Sequence, residues 1–291
     1  MTHTIPVITG PTERADLLAS RLTVLYETYD IRFLDPDPLV LVRLSGDRRD
    51  REIAGLFAAV LAYGGARTIM KDVRDLFERM DGEPYGFVTR FVPKRDARRF
   101  RGWYHRFHRG EDVAALVWAV RRALEEHGSL GDLFSAGFSR THRDIAPALH
   151  AFVTYLRTLD PGPIVPGEHY HHLLPSPADG SACKRMNLFL RWMVRRTGPD
   201  LGLWLDIPTS HLVIPLDTHV ARISRHVGLT RRSTPNWRMA REITDALRTI
   251  DPDDPVRFDY AICRLGILDR CPRRRSLTRC AGCLIREICV L

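Results

Sequence analysis

PVRFDYAICRLGILDRCPRRRSLTRCAGCLIREIC, residues 255–289, is the stretch from which the fold of this 291-residue chain is best inferred. It begins with an apolar helical segment and ends in four cysteines spaced Cys271-x8-Cys280-x2-Cys283-x5-Cys289. Thiolates are soft ligands that suit both zinc and iron–sulfur clusters. This close spacing predicts a C-terminal metal centre, and spacing alone leaves zinc and a cluster as alternatives.

The charge of the chain favours a polyanionic partner, because the formal net charge is +9. Of the 44 basic Lys and Arg residues only Lys71, Lys94 and Lys184 are lysines. An amine can lose its proton and attack a carbonyl carbon, whereas arginine effectively cannot. A lysine retained among so many arginines is therefore a candidate nucleophile.

The ends and the hydropathy of the chain indicate its compartment. No basic region followed by an apolar run opens the sequence, and no stretch of about 18 apolar residues occurs. We therefore expect a cytoplasmic protein without a membrane partner, associated with the nucleoid if it binds DNA. In that compartment clustered cysteines are more often metal ligands than disulfide partners. We expect Cys183 and Cys263, which lie outside the cluster, to be buried, reduced thiols.

Apolar residues recur at helical spacing along most of the chain, and no convincing run of alternating strand residues is present. The spacing predicts helices near 13–30, 112–126, 144–158 and 184–196, the last of them largely buried. The intervening segment 160–182 is rich in Pro, Gly and His and is expected to be an irregular loop. The fold class predicted from this pattern is all-α.

The quoted C-terminal stretch resembles the corresponding part of endonuclease III and the adenine glycosylases, members of the helix-hairpin-helix DNA glycosylase superfamily. In those enzymes a Cys-x6-Cys-x2-Cys-x5-Cys pattern holds a [4Fe–4S] cluster. This chain matches the last two spacings and has two more residues in the first. The resemblance implies a [4Fe–4S] cluster on Cys271, Cys280, Cys283 and Cys289, with zinc as the alternative.

A second similarity lies in IPLDTHVARISRHVGL, residues 214–229. It resembles the segment that carries the catalytic aspartate of the superfamily, and Asp217 falls on that aspartate. An ionised carboxylate beside a flipped nucleotide can stabilise positive charge on the sugar as the base leaves. The alternative is that Asp217 only caps the helix that follows it.

A third similarity, DREIAGLFAAVLAYGGARTIMKDVRDLFERM at 50–80, resembles the opening pair of barrel helices. Where those enzymes place a residue that fills the gap left by a flipped base, this chain has Tyr63. Tyr63 is therefore either a side chain that enters the DNA stack or a packing residue.

The segment of this chain that corresponds to the loop of the superfamily's helix-hairpin-helix motif departs from the family pattern Leu-Pro-Gly-x-Gly-x-Lys-Thr-Ala. Here the sequence is LLPSPADGSACKRMN, residues 173–187, in which Gly180 survives but the first glycine is missing. Lys184 still opens the next helix, 33 residues before Asp217, a long gap that resembles the archaeal 8-oxoguanine glycosylase branch. The resemblance implies that Lys184 is the Schiff-base nucleophile; the alternative is a lysine whose ammonium merely reaches the surface.

Arginines inside the cysteine loop favour contact with phosphates, because a pinned basic loop suits a polyanion. These are Arg273, Arg274, Arg275 and Arg279. The loop histidines His169, His171 and His172, with only Glu168 beside them, are weak candidates for a metal site.

The resemblance implies a two-part helical fold. Residues 47–198 would form a six-helix barrel with the modified hairpin, and residues 1–46 would pack with the cluster-bearing part, 199–291. The implied activity is removal of a damaged base from double-stranded DNA by a monomer, with strand cleavage at an abasic site through a lysine Schiff base as a further step. The alternatives are a non-catalytic DNA-binding protein of the same fold and a zinc-stabilised protein that binds or modifies RNA.

Overall fold

A computed structural model describes residues 11–158, 162–269 and 271–290 of the chain. Their secondary structure is almost entirely helical, so the predicted all-α fold class is confirmed. Within these residues no helix combines the length and apolarity needed to cross a membrane. The helices are α1 (Pro11–Thr28), α2 (Leu39–Leu44), α3 (Arg48–Val60), α4 (Ala66–Arg79), α5 (Pro84–Arg90), α6 (Pro93–Asp96), α7 (Gly110–His127), α8 (Leu130–Ala136), α9 (Ala146–Thr158), α10 (Tyr170–Leu173), α11 (Lys184–Val194), α12 (Thr218–His226), α13 (Trp237–Arg248) and α14 (Asp259–Leu268).

Two short strands, β1 (Tyr104–His105) and β2 (His108–Arg109), form an antiparallel hairpin that the sequence pattern did not predict. Each strand has only two residues, which is too short for an alternating pattern to appear. Arg106 makes the turn with a left-handed φ of 56°. The hairpin matters because, as shown below, it lines the candidate site.

The first part of the molecule is organised around α3, which packs against α2, α5 and α11. The contact with α11 is close because Gly55 has no side chain. A Cβ atom there would lie 2.7 Å from the Met193 methyl carbon. Since α3 is buried along most of its length, it fixes the position of α11 and of Lys184 at the start of α11.

The C-terminal part is organised around α14, which packs against α12 and α1. A Cβ atom on Gly266 would lie 2.6 Å from the Cβ of His219, so this glycine permits the close approach of α14 to α12. The 3-10 turn Arg286–Ile288 also contacts α1, and through it the cysteine loop is attached to this part.

A buried network of ion pairs joins α11 to the C-terminal part. The Arg191 guanidinium donates to Asp200 at 3.2 Å and to Asp259 at the start of α14, and Arg195 pairs with Asp200 at 2.5 Å and with Asp254 at 2.9 Å. Burial raises the pKa of Asp259 to about 6 although Arg191 opposes that shift. Removing either partner of such a pair would leave a buried charge uncompensated, so the network fixes the register between the helices.

Candidate active site

Lys184 is the first residue of α11, and the backbone before it is unusual. Cys183 has left-handed dihedral angles, φ 49° and ψ 33°, which are rare for a residue other than glycine, asparagine or aspartate. This turn starts the helix directly at Lys184. The Lys184 side chain is partly buried, and its Nζ donates a hydrogen bond of 2.8 Å to the Ala62 carbonyl at the end of α3.

The loop before Lys184 is the modified hairpin of the sequence analysis. Ser176 caps the short 3-10 helix Pro177–Asp179, and Gly180 follows with φ 70°. Gly180 is exposed, a Cβ there would meet nothing within 4 Å, and its carbonyl accepts from the Trp237 amide of α13 at 3.4 Å. The glycine therefore serves the turn, while its predicted contact with DNA stays a prediction.

Asp217 caps α12, as one interpretation of the sequence predicted. Its Oδ1 accepts the Val220 amide at 2.7 Å, and the side chain is partly buried. The second oxygen, Oδ2, accepts from the Cys263 thiol at 3.4 Å. Only one of the two carboxylate oxygens caps the helix, so the other oxygen can make further contacts.

The two predicted catalytic residues converge on Cys263. The Asp217 carboxylate helps to raise the pKa of the Cys263 thiol, and the Lys184 ammonium acts in the opposite direction. Both charges therefore lie near the same sulfur atom, although they are 33 residues apart and belong to α11 and α12. Burial is the largest cause of the raised pKa, so the Cys263 sulfur itself is poorly solvated.

Lys184 lies at the wall of an open cleft with a volume of about 680 Å³. The cleft has both aromatic and basic walls, formed by Tyr63, Phe107, His172 and Arg185 together with Arg106 and Arg157. Flat rings suit the face of a nucleobase, and guanidinium groups suit phosphates. Arg185 is buried and Arg157 is paired with Asp179 of the same cleft at 2.8 Å, whereas Arg106 is exposed.

Tyr63 is held firmly in that wall. Its ring lies 4.7 Å from His105, 5.6 Å from Phe107 and 6.0 Å from His172, measured between centroids. The Arg185 guanidinium stacks 4.9 Å from its centroid. These contacts favour the packing interpretation of Tyr63, and its entry into a DNA stack stays a prediction.

The buried His108 of the β-hairpin supports Tyr63. The Tyr63 hydroxyl bonds to His108 Nδ1, and His108 Nε2 lies 3.2 Å from the His169 carbonyl. The carbonyl can only accept, so Nε2 carries the proton and Nδ1 accepts from the tyrosine. Burial, then the charge of Arg185, lowers the pKa of His108 to about 3, which keeps this ring neutral.

The four cysteines of the C-terminal loop line one cavity of about 440 Å³. Each is partly buried and none is in a disulfide. No three His, Cys, Asp or Glu side chains in the described part of the chain converge tightly enough for a single metal ion. The Ser276 amide lies 3.4 Å from the Cys280 sulfur, and Cys271 Sγ lies 3.8 Å from His226 Nδ1 at the end of α12.

The predicted phosphate-binding arginines are all exposed, and Arg275 and Arg279 also line the cavity of the cysteines. Leu277, between them in sequence, is 91% exposed. Of the weak histidine candidates, His171 and His172 line the cleft, and the rings of His169 and His172 pack against Phe107 with centroids 5.0 and 4.7 Å away. Cys183 is buried and its pKa is raised to about 12, but Cys263 is only partly buried.

Sequence reasoning missed two parts of this site. The β-hairpin carries no motif, so His105, Phe107 and His108 offered no signal. Cys263 was interpreted only as a buried thiol.

Residues 37–268 of the chain match the model of a family described as "Protein of unknown function (DUF2400)". The matched segment contains Lys184, Asp217 and Cys263 and ends before the first of the four clustered cysteines. No curated protein matches the chain.

Proposed function

The chain belongs to the DUF2400 family, and from the chemistry of its cleft we propose that it is a DNA glycosylase that removes a damaged base. One observation carries this proposal: the Asp217 carboxylate contacts the Cys263 sulfur, the charge of Lys184 acts on the same sulfur, and Lys184 also lies in the wall of an open cleft lined by aromatic and basic side chains. A flipped nucleotide needs such walls, and the loss of its base needs such a carboxylate.

The reaction follows from the two side chains. Lys184 Nζ, as the free amine, attacks the sugar C1′, the bond from C1′ to the base breaks, and the base takes up the proton that Nζ has passed to Asp217. The bond from C1′ to the ring oxygen O4′ then breaks, O4′ takes the second proton of Nζ, and an imine between C1′ and Nζ remains, which water hydrolyses or which permits strand cleavage. Asp217 stabilises the positive charge that develops on the sugar and receives the proton that Nζ loses. If Asp217 activates water instead, the enzyme is monofunctional.

We propose that the four cysteines hold a [4Fe–4S] cluster, because their last two spacings match those of the cluster-bearing glycosylases; zinc is the alternative. All four thiols line one cavity of about 440 Å³. Cys271, Cys280, Cys283 and Cys289 would hold the cluster, and the Ser276 amide would donate to a cluster ligand. A cluster there would cross-link the loop and has no part in the excision steps.

A second candidate function, a non-catalytic DNA-binding protein of the same fold, is favoured by one contact. The Lys184 ammonium is engaged by the Ala62 carbonyl at 2.8 Å, as a lysine with a purely structural role would be. A catalytic lysine has to leave this carbonyl when the sugar arrives. The two functions therefore differ in whether the amine can be released to react.

The test is a screen of the purified protein against duplex oligonucleotides that each carry one defined lesion or an abasic site, with borohydride present. Borohydride reduces an imine to a stable amine and so links enzyme to DNA covalently. We expect wild-type protein to be trapped and Lys184→Arg to bind DNA without being trapped, because a guanidinium cannot form the imine.

The chain supplies matched controls, since the exposed Lys71 and Lys94 are its other lysines. Lys71→Arg and Lys94→Arg should be trapped like wild type. Trapping of Lys184→Arg at the wild-type level would show that the nucleophile lies elsewhere. Binding without excision or trapping on any lesion would favour the non-catalytic function.

A further inference from the structure

The two oxygens of the Asp217 carboxylate are held by donors of very different strength. Oδ1 accepts the Val220 backbone amide at 2.7 Å, which ties the side chain to the start of α12. Oδ2 accepts the thiol of Cys263 on α14 at 3.4 Å, a normal length for a sulfur donor. The amide fixes where the carboxylate sits, and the thiol fixes how its plane is turned.

The Cys263 thiol keeps its proton and therefore acts as the donor. Burial first, and then the charges of Asp217 and Asp259, raise its pKa well above the ordinary value. The opposing charges are Lys184 from α11 and Arg264 from its own helix. Because the carboxylate can only accept, the bond runs from sulfur to oxygen.

A second carboxylate, Asp259, lies near enough to Asp217 for the charge of one to affect the other. Asp259 lies one helical turn before Cys263, and the charge of Asp217 contributes to its raised pKa. One oxygen of Asp259 bonds to Arg191, while the other, Oδ1, is buried and has no hydrogen-bond partner among the described residues. The two negative charges repel each other, so a donor on the second oxygen of Asp217 offsets part of that repulsion.

We propose that Cys263 is a positioning residue for Asp217, whose weak S–H donor turns and stabilises the carboxylate while leaving its negative charge available to the substrate. The proposal rests on the glycosylase function inferred above. A thiol is a weaker donor than a hydroxyl or an amide, so it takes little of that charge. The chain thus combines one strong and one weak hydrogen bond at this carboxylate.

The test compares Cys263→Ala and Cys263→Ser in single-turnover excision across pH. Alanine removes the donor, so we expect the rate to fall about tenfold and the acid limb of the pH profile to move to higher pH. Serine restores a donor, and a stronger one. It should recover the rate to within about threefold and move the acid limb to lower pH than in wild type.

Two outcomes would overturn the proposal. One is Cys263→Ala with the wild-type rate and profile. The other is an equal loss of rate in both variants with an unmoved acid limb, which would show that the thiol only fills space. In the Asp217→Asn background Cys263→Ala should cost almost nothing more, because the partner is already changed; full additivity would also count against the proposal.

Infrared spectroscopy tests the hydrogen bond without any activity. The S–H stretching band of Cys263 is the one that Cys263→Ser removes, and it should shift to higher frequency in Asp217→Ala because donation weakens the S–H bond. If the S–H band keeps its frequency in Asp217→Ala, Cys263 does not donate a hydrogen bond to Asp217. If excision is absent for every lesion but the band shifts, the positioning contact stands and the glycosylase function is what has failed.

Discussion

The cysteine loop and the cleft around Lys184 are held in place in opposite ways. The loop, residues 271–289, has two fully buried apolar side chains, Ile285 and Ile288, beside exposed arginines and an exposed Leu277. The side chains that line the cleft contact one another through ring packing and hydrogen bonds. The adjacent helices α3 and α11 are buried along most of their length. We therefore expect the loop to depend on the proposed cluster for its structure and the cleft to be stabilised by its own contacts, and this difference predicts how each responds to mutation.

The largest expected effect is on the proposed chemistry at Asp217, where activity should be lost while structure is kept. Asp217→Asn preserves an acceptor for the Val220 amide but removes the negative charge. We expect excision to slow by about 1,000-fold or more, with unchanged duplex binding and thermal stability. Single-turnover kinetics and a binding titration measure the two quantities separately. Full excision by this variant would show that Asp217 is only a helix cap.

The next effect is on the loop, where structure should be lost first. Cys283→Ser removes one of the four thiols, and we expect it to lose most of about four irons and the brown absorption near ~400 nm that wild type should have. Hydrogen exchange should accelerate in 271–290 and stay slow in α3 and α11. Colourless wild-type protein with one zinc per chain would reject the cluster. Equal acceleration in both regions would remove the contrast between them.

A smaller effect is expected for the charges of the loop. Replacing Arg273, Arg274 and Arg275 together with alanine should reduce the salt dependence of duplex affinity by roughly two to three units of slope, about 0.9 for each phosphate that is no longer neutralised. The matched control is Arg98, Arg99 and Arg101 to alanine, three basic residues of the first part of the molecule. An unchanged slope in the loop variant would mean that the loop faces solvent in the complex.

The smallest expected effect is on the pH dependence of the free energy of unfolding, and it tests the contribution of the cleft residue His108 to stability. The pKa of His108 is lowered to about 3, while an unfolded chain takes up that proton near 6.5. Below about pH 6.5 the unfolded state binds more protons, so the free energy of unfolding falls as pH drops. His108→Gln should reduce this slope by at most one proton, about 1.4 kcal/mol per pH unit. Urea unfolding at pH 7.5 and 5 measures it, with exposed His171→Gln as the control; equal slopes in both variants would contradict it.

The sequence predicted features that are encoded locally. The helix cap at Asp217 and the buried helix that begins at Lys184 both depend on residues close together in the chain. It failed where distant segments meet. The β-hairpin reaches Tyr63 across more than 40 residues, and Cys263 reaches Asp217 across 46, so no spacing rule could reveal either contact.

The short helix α12 lies between the Asp217 carboxylate and the cysteine loop. Asp217 caps its first turn, and His226 at its last residue touches Cys271. Nine residues at a rise of about 1.5 Å span roughly 13 Å, so no side chain at one end reaches the other. The helix acts as a fixed spacer between the Asp217 carboxylate and the four clustered cysteines, and it is itself held in place by packing against α14.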